Sequence, residues 1–189
     1  MNVNNIFKNN EIWAQELEKN QPDLFRKFAQ GQNPKILWIG CSDSRVPAET
    51  ICGLEPGELF VHRNVANQIQ PTDPSCLAVL HFAIDVLQIH HIVVCGHTHC
   101  GGVEAAKKGG GKGPVYEWIQ PISNMVQDCP DKPLDHLCEL NVRQQVQNLS
   151  QISVVLKAWK RNHPLSLHGW IYEISKGRLK DLGITMDQG

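Results

Sequence analysis

A chain of 189 residues, 41% hydrophobic and 20% charged, lies outside the low-hydropathy, high-charge regime of disorder and has the length of one domain. Its 18 Lys and Arg against 19 Asp and Glu leave a formal charge of -1, so no general basic field exists to recruit nucleic acid or an anionic membrane. The seven cysteines follow an amino terminus without the apolar core of a secretory signal, which points to thiols or metal ligands in a reducing, cytoplasmic compartment rather than to a disulfide framework.

From Asn10 to Gln30, Ile12, Trp13, Leu17, Leu24, Phe25 and Phe28 recur at helical steps, with Pro22 splitting the segment and Asn20 or Gln21 capping its second piece. Residues 1–30 are thus expected to form a helical arm on an α/β core of residues 34–189, together one domain. The run Ile36 to Ile39 before Gly40 reads as a buried strand that delivers Cys41 into a loop. Leu59 to Val61 and Ile92 to Cys95 are the next strand candidates. Ile92 to Cys95 is also among the longest apolar runs, far below the roughly 18 residues of a membrane-spanning helix.

Between those strands Asp73 and Pro74 open a helix as N-cap and first residue, with Leu77, Leu80, Ile84 and Leu87 as its apolar stripe. Lys107 to Gly113 reads as a flexible loop. It is no phosphate loop, because Ala106 stands where Gly is required and Gly113 where Ser or Thr should follow Lys112. Leu134 to Arg161 reads as helix, bent where Ser150 caps a second segment. A hairpin follows at Trp170 to Ile174, Ser175 to Gly177 and Leu179 onward. Strand, helix, strand at these spacings implies a mostly parallel central sheet flanked by helices, with the hairpin closing the carboxy-terminal end.

Two segments concentrate the chemistry: Cys41-Ser-Asp-Ser-Arg45 and Cys95-Gly-His-Thr-His-Cys-Gly-Gly102. Each follows a predicted buried strand, and in an open parallel sheet the carboxyl ends of the strands flank the ligand crevice. His97 and Cys100 have the short spacing of two ligands on one loop, and Cys41 can add a third from the other. Two thiolates and an imidazole suit zinc, and three protein ligands leave the open position of a catalytic site. A lone Cys or His is more often a core residue, but here two loops agree. Cys95 is expected to pack at its strand's end, and His99 to face solvent or a partner subunit. Asp43 and Arg45 are close enough to pair. Beside a zinc, such a carboxylate can accept a hydrogen bond from bound water or can take the fourth position itself.

The segments CSDSRVPAE (Cys41 to Glu49), FVHRNVAN (Phe60 to Asn67) and CGHTHCGG (Cys95 to Gly102) closely resemble, in order and spacing, the motifs of the β-class carbonic anhydrases. Weaker similarity continues through CELNV (Cys138 to Val142) and HGWIYEI (His168 to Ile174). The resemblance implies one zinc per chain on Cys41, His97 and Cys100, with Asp43 and Arg45 as catalytic dyad. It implies reversible hydration of carbon dioxide to bicarbonate and a proton by hydroxide generated at the zinc, and a homodimer or higher homo-oligomer. It also implies, for one subset of the family, a bicarbonate regulatory pocket at Trp38, Arg63 and Tyr172. Competing readings are a non-catalytic zinc or bicarbonate-sensing module, disfavoured by the intact Asp43 and Arg45, and a hydrolase of a carbon dioxide analogue on the same scaffold. A thiol redox protein is disfavoured because no Cys-x-x-Cys pair occurs.

Overall fold

In the computed structural model, which describes residues 2–188, five strands form one sheet. They are β1 (Ile36–Cys41), β2 (Leu59–Asn64), β3 (His91–His97), β4 (Ser166–Glu173) and β5 (Arg178–Met186), in spatial order β2-β1-β3-β4-β5. Pairings from β2 through β4 are parallel, and β5 returns antiparallel on β4. The expected α/β fold with its carboxy-terminal hairpin is therefore present. β1 and β3 are buried almost throughout, as near-continuous apolar runs such as Ile-Leu-Trp-Ile demand when both faces of a strand are covered.

The described residues also form nine α-helices, α1 (Asn5–Asn20), α2 (Leu24–Ala29), α3 (Ala48–Cys52), α4 (Pro74–His81), α5 (Gly101–Lys108), α6 (Pro114–Trp118), α7 (Gln120–Gln127), α8 (Leu134–Ser150) and α9 (Ser153–Lys160), with a short 3-10 turn at Val65–Asn67. The chain divides into two compact units, one up to Asn33 and one from Pro34 onward. In the first, α1 and α2 bury no residue, and Phe25 stacks edge-on against both Trp13 and Phe28 at 5.9 and 6.3 Å.

In the second unit the main core lies on the sheet face carrying Leu37, Ile39, Ile92 and Val94, where it meets Leu80 and Ile84 of the α4 region and Leu137, Val142, Val146 and Leu149 of α8. The opposite face carries a smaller cluster of Trp38, Ala48, Leu59, Val93 and Cys95, joined by Ile51 and Cys52 of α3.

Several local expectations differ from the structure for identifiable reasons. α1 begins at Asn5 rather than Asn10. The break at Pro22 is present, but neither Asn20 nor Gln21 caps α2. Proline disfavours the α region for the residue before it, so Gln21 leaves helical geometry and the chain enters α2 through Asp23 at φ 74°. Ser150 ends α8, and its hydroxyl donates back to the Gln147 carbonyl (2.7 Å), while the extended Ile152 precedes α9. Lys107 and Lys108 belong to α5, whose last turn carries a Lys108–Glu104 ion pair at 2.6 Å, so the loop starts only at Gly109. Cys41 and His97 are the last residues of their strands rather than loop residues. After α4 the helix widens into a π turn over Phe82–Val86, which still buries Ile84 of the predicted stripe.

α8 reaches the sheet through two glycines. A Cβ on Gly96 would stand 2.6 Å from Val142 Cγ2 and 3.2 Å from Ile171 Cδ1, and one on Gly169 would stand 2.9 Å from Ile184 Cδ1 and 3.2 Å from Val146 Cγ2. Val142 is β-branched and cannot turn aside cheaply. Gly96→Ala is therefore expected to lower stability by about 1–3 kcal/mol through overpacking, read as a lower urea midpoint at unchanged slope. An unaltered midpoint would refute this account of the α8 contact.

Candidate metal centre

The parallel register of β1 with β3 runs from Ile36 opposite His91 to Gly40 opposite Cys95, so both strands stop at the same edge of the sheet. Cys41 and His97 are their terminal residues, and Cys100 follows as the N-cap position of α5. All three are buried. Their donor atoms lie within 4.8 Å of one another, with the two sulfurs 4.0 Å apart. These are the three residues whose types and spacing suggested a zinc site, and the fold brings them together.

The imidazole is aimed by its surroundings. His97 Nδ1 donates to the Thr98 carbonyl (2.9 Å), which leaves Nε2 as the nitrogen with a lone pair. That Nε2 is buried and has no hydrogen-bond partner, facing the two sulfurs and, at 3.7 Å, Asp43 Oδ2. An orphaned imidazole nitrogen beside two thiols is the donor set of a soft, tetrahedral metal site, so the residues present fit zinc.

Asp43 is held on every side. Arg45 donates from Nε to Oδ1 (2.9 Å) and from Nη2 to Oδ2 (2.7 Å), a bidentate pair, and its backbone N–H adds a third bond to Oδ1 (3.0 Å). Arg45 therefore keeps the carboxyl well below the usual carboxylate range. Arg45 Nη2 also reaches the His99 carbonyl at 3.3 Å, joining the two loops. On the far side of His99, its N–H donates to Asp135 Oδ1 (2.9 Å) at the start of α8. His99 adopts φ 54°, a left-handed conformation that these two bonds hold. Asp135 and Thr98, whose Oγ1 accepts from Ile174 N–H at 3.0 Å, are supports that sequence reasoning missed. Nothing local marks an aspartate 36 positions away as the partner of this loop.

The electrostatics of the sulfurs follow from their closeness. The Cys100 thiol, donating to Cys41, is the main reason that the Cys41 pKa is lowered, with His97 adding to the effect. The same interaction and burial push Cys100 up. Burial acts to lower the His97 pKa, but its contacts with Cys41 outweigh that and raise it. Cys95 is fully buried and pushed up by desolvation, and the side chain of His99 is exposed, so neither joins the donor set.

Trp38, Arg63 and Tyr172 share the second face of the sheet, but no hydrogen bond joins them among the described residues. Arg63 turns to the strand ends and donates to the carbonyls of Cys41 (2.8 Å) and Asp43 (2.6 Å). Trp38 is buried edge-on against Trp170, with its Nε1 unpartnered; a Cβ on Gly40 would lie 2.4 Å from that atom. Tyr172 lies two strands away on β4, its hydroxyl toward Gly177 of the hairpin turn.

The sequence profile described as carbonic anhydrase matches residues 36–179, which contain every site residue named above. A carbonic anhydrase of Emericella nidulans is 40% identical over 95% of this chain and 82% of its own length. Among solved structures, a β-carbonic anhydrase of Aspergillus fumigatus superposes with a TM-score of 0.88 at 42% identity, covering 94% of this chain and 88% of that one. One of two β-carbonic anhydrases of Sordaria macrospora, described as tetrameric, superposes at 0.90 with 36% identity, covering 95% of this chain and 96% of that one.

After removal of metal with a chelator, Cys41 is expected to remain a thiolate at neutral pH while Cys100 keeps its proton. The hydrogen bond from Cys100 lowers the Cys41 pKa, so its ultraviolet absorbance should persist to pH well below the range in which an ordinary cysteine thiol titrates. Cys41→Ser should abolish that band and Cys95→Ser should leave it. A band that appears only in the alkaline range would overturn the sulfur pairing.

Proposed function

The chain belongs to the β-class carbonic anhydrase family and is by that membership a carbonate dehydratase; we propose on this premise that Cys41, His97 and Cys100 hold one zinc ion and that Asp43, clamped by Arg45, assists the interconversion of carbon dioxide and bicarbonate. The observation that carries the reading is the convergence of the three buried donors, with an unpartnered His97 Nε2 among them, beside a carboxylate already fixed by a guanidinium.

Zinc held by these ligands would supply the Lewis acidity that lowers the pKa of a water, as it does from 15.7 to about 7 in carbonic anhydrase with a different ligand set. The remaining chemistry belongs to the chain. Asp43 is ionised and so acts only as an acceptor: it takes the O–H of the attacking water species and turns an oxygen lone pair toward the carbon of carbon dioxide. Arg45 holds that carboxylate in one orientation and, by its charge, prevents it from taking up the proton. Arg63 ties the Cys41 and Asp43 carbonyls together and so fixes the spacing between metal ligand and acceptor. Burial of the donors excludes bulk water and strengthens each of these interactions.

The same reading includes residues 34–189 as the catalytic domain, residues 1–30 as its arm, and assembly as a homodimer or a higher oligomer. The tetrameric Sordaria macrospora relative and the exposed Phe7, Trp13 and Phe28 support self-association. A cytoplasmic setting suits seven free cysteines; no helix among the described residues is long and apolar enough to cross a membrane. Bicarbonate regulation at Trp38, Arg63 and Tyr172 draws support from the unpartnered Trp38 Nε1 and from the link Arg63 makes to the Cys41 and Asp43 carbonyls.

Stopped-flow hydration of carbon dioxide together with metal analysis tests the assignment. Cys41→Ser, His97→Ala and Cys100→Ser should each lose zinc and activity together, whereas Cys95→Ala and His99→Ala should keep both. Asp43→Asn and Arg45→Gln should retain one zinc per chain and lose about 100-fold or more in turnover, the usual scale for a positioned acid or base. Full zinc occupancy in Cys100→Ser would sink the ligand set, and parent turnover in Asp43→Asn would sink the dyad.

A further inference from the structure

We propose that His62, Asp73 and Cys76 form a second site for a divalent transition metal of the zinc class, built from residues other than those of the Cys41 site. Their donor atoms, one imidazole nitrogen, one carboxylate oxygen and one sulfur, all lie within 4.8 Å of one another, a limit that Cys41, His97 and Cys100 also meet. Among the described residues only these two sets bring three such donors together. In a tetrahedral zinc site with bonds of about 2.0–2.3 Å, donors stand roughly 3.3–3.8 Å apart, so side-chain rotation suffices to close the set.

The three side chains are positioned by different elements. His62 comes from β2, Asp73 is the N-cap of α4, and Cys76 lies in that helix's first turn. Asp73 uses Oδ1 to accept the Ser75 N–H (2.9 Å), the ordinary N-cap bond, which leaves Oδ2 without that duty. The Asn64 NH2 donates to His62 Nε2 at 3.3 Å, its orientation fixed by Gln68, whose carbonyl accepts from the same NH2 (2.8 Å) and whose N–H donates to Asn64 Oδ1 (2.7 Å). A metal on Nε2 would take the lone pair that this long amide bond now uses.

Charge and chemistry match a dication. A Cys76 thiolate and the Asp73 carboxylate together carry two negative charges, and the imidazole completes the set as a neutral ligand. Burial keeps His62 unprotonated by lowering its pKa, and pushes the Cys76 thiol up to about 12 with Asp73 adding to the rise. Metal binding therefore forms a metal–sulfur bond and releases the Cys76 proton to solvent. A cleft of about 530 Å³, lined among others by Ser42, His62, Asp73 and Ser75, opens onto the site and offers an entry path and room for a water ligand. His62 also precedes Arg63, the residue that donates to the Cys41 and Asp43 carbonyls, so a metal here bears on the strand end that supports the catalytic loop.

The test is a cobalt titration of the full-length protein loaded with one equivalent of zinc. The expected result is one further equivalent of cobalt per chain with retained zinc, accompanied by a thiolate-to-cobalt charge-transfer band in the near ultraviolet. Cys76→Ser should remove that band, and His62→Gln and Asp73→Asn should each weaken the second equivalent by tenfold or more. Asp73→Asn keeps an N-cap side chain, so its loss of affinity would not reflect an unravelled helix. No second equivalent, a second equivalent without a thiolate band, or a band that survives Cys76→Ser overturns the proposal. Failure of the Cys41 site would instead appear as zinc that Cys41→Ser leaves in place, so the two readings fail separately.

Discussion

Two neighbouring parallel strands that end within one residue of each other bring Cys41 and His97 to the same edge of the sheet, and the rest of the site depends on that register. Parallel pairing lets each strand run its carboxyl end to one edge of the sheet, and the chain leaves β1 toward β2 on one side and returns to β3 on the other. The crevice between those departures is where an open α/β sheet receives its ligands. A slip of one residue in β1 against β3 would turn Cys41 to the other face and part the two sulfurs that now stand 4.0 Å apart. The buried Leu37 and Ile39 penalise such a slip, because each would exchange the main core for the opposite face.

α8 is the second support, and it acts through both apolar and polar residues. Its stripe of Leu137, Val142, Val146 and Leu149 lies on the glycine-lined stretch of the sheet, while Asp135, Asn141 and Gln145 satisfy the irregular backbone around the site. Asn141 donates to the Ala66 carbonyl (3.0 Å), Gln145 donates to Asn141 (2.9 Å), and Gln145 Oε1 accepts the Ile69 N–H (2.8 Å). Ala66 and Asn67, at φ 60° and 47°, are two consecutive non-glycine residues in the left-handed region. Each such residue costs on the order of 1–3 kcal/mol and persists only where its surroundings over-determine it. This buried amide network does so, and it lets the turn pack against Gly102 at the start of α5, where a Cβ would lie 3.0 Å from that of Ala66.

Arginine does what lysine could not at two points here. Arg45 needs two parallel N–H groups to grip one carboxylate, and Arg63 needs two separate donors to reach two carbonyls. Together they convert a loop of alternating Ser, Asp, Ser and Arg into a rigid frame beside the donors. β2 thereby joins the primary site to the His62 cluster through adjacent residues, which makes its strand end the common element of both metal-capable sets.

The residues of the primary site were legible in the sequence because their signal is chemical and local: Cys41, Asp43 and Arg45 stand within one short segment, His97 and Cys100 within another, each behind an apolar run that could only be a buried strand. The hairpin and the α4 stripe were legible for a similar reason, since turn residues and helical spacing act over a few positions. The short α3, α6 and α7 were not, because five to eight residues carry too little periodicity to declare a helix. Nor were the Asp135 bond to His99, the Asn141–Gln145 network or the meeting of His62 with Asp73 and Cys76. What the sequence alone determined was that Cys41, His97 and Cys100 could bind metal behind two buried strands; the tertiary structure decided on which strand ends they sit and which donors meet, because hydrogen bonds and coordination act over a few ångströms between groups that strand order and helix docking bring together across dozens of residues.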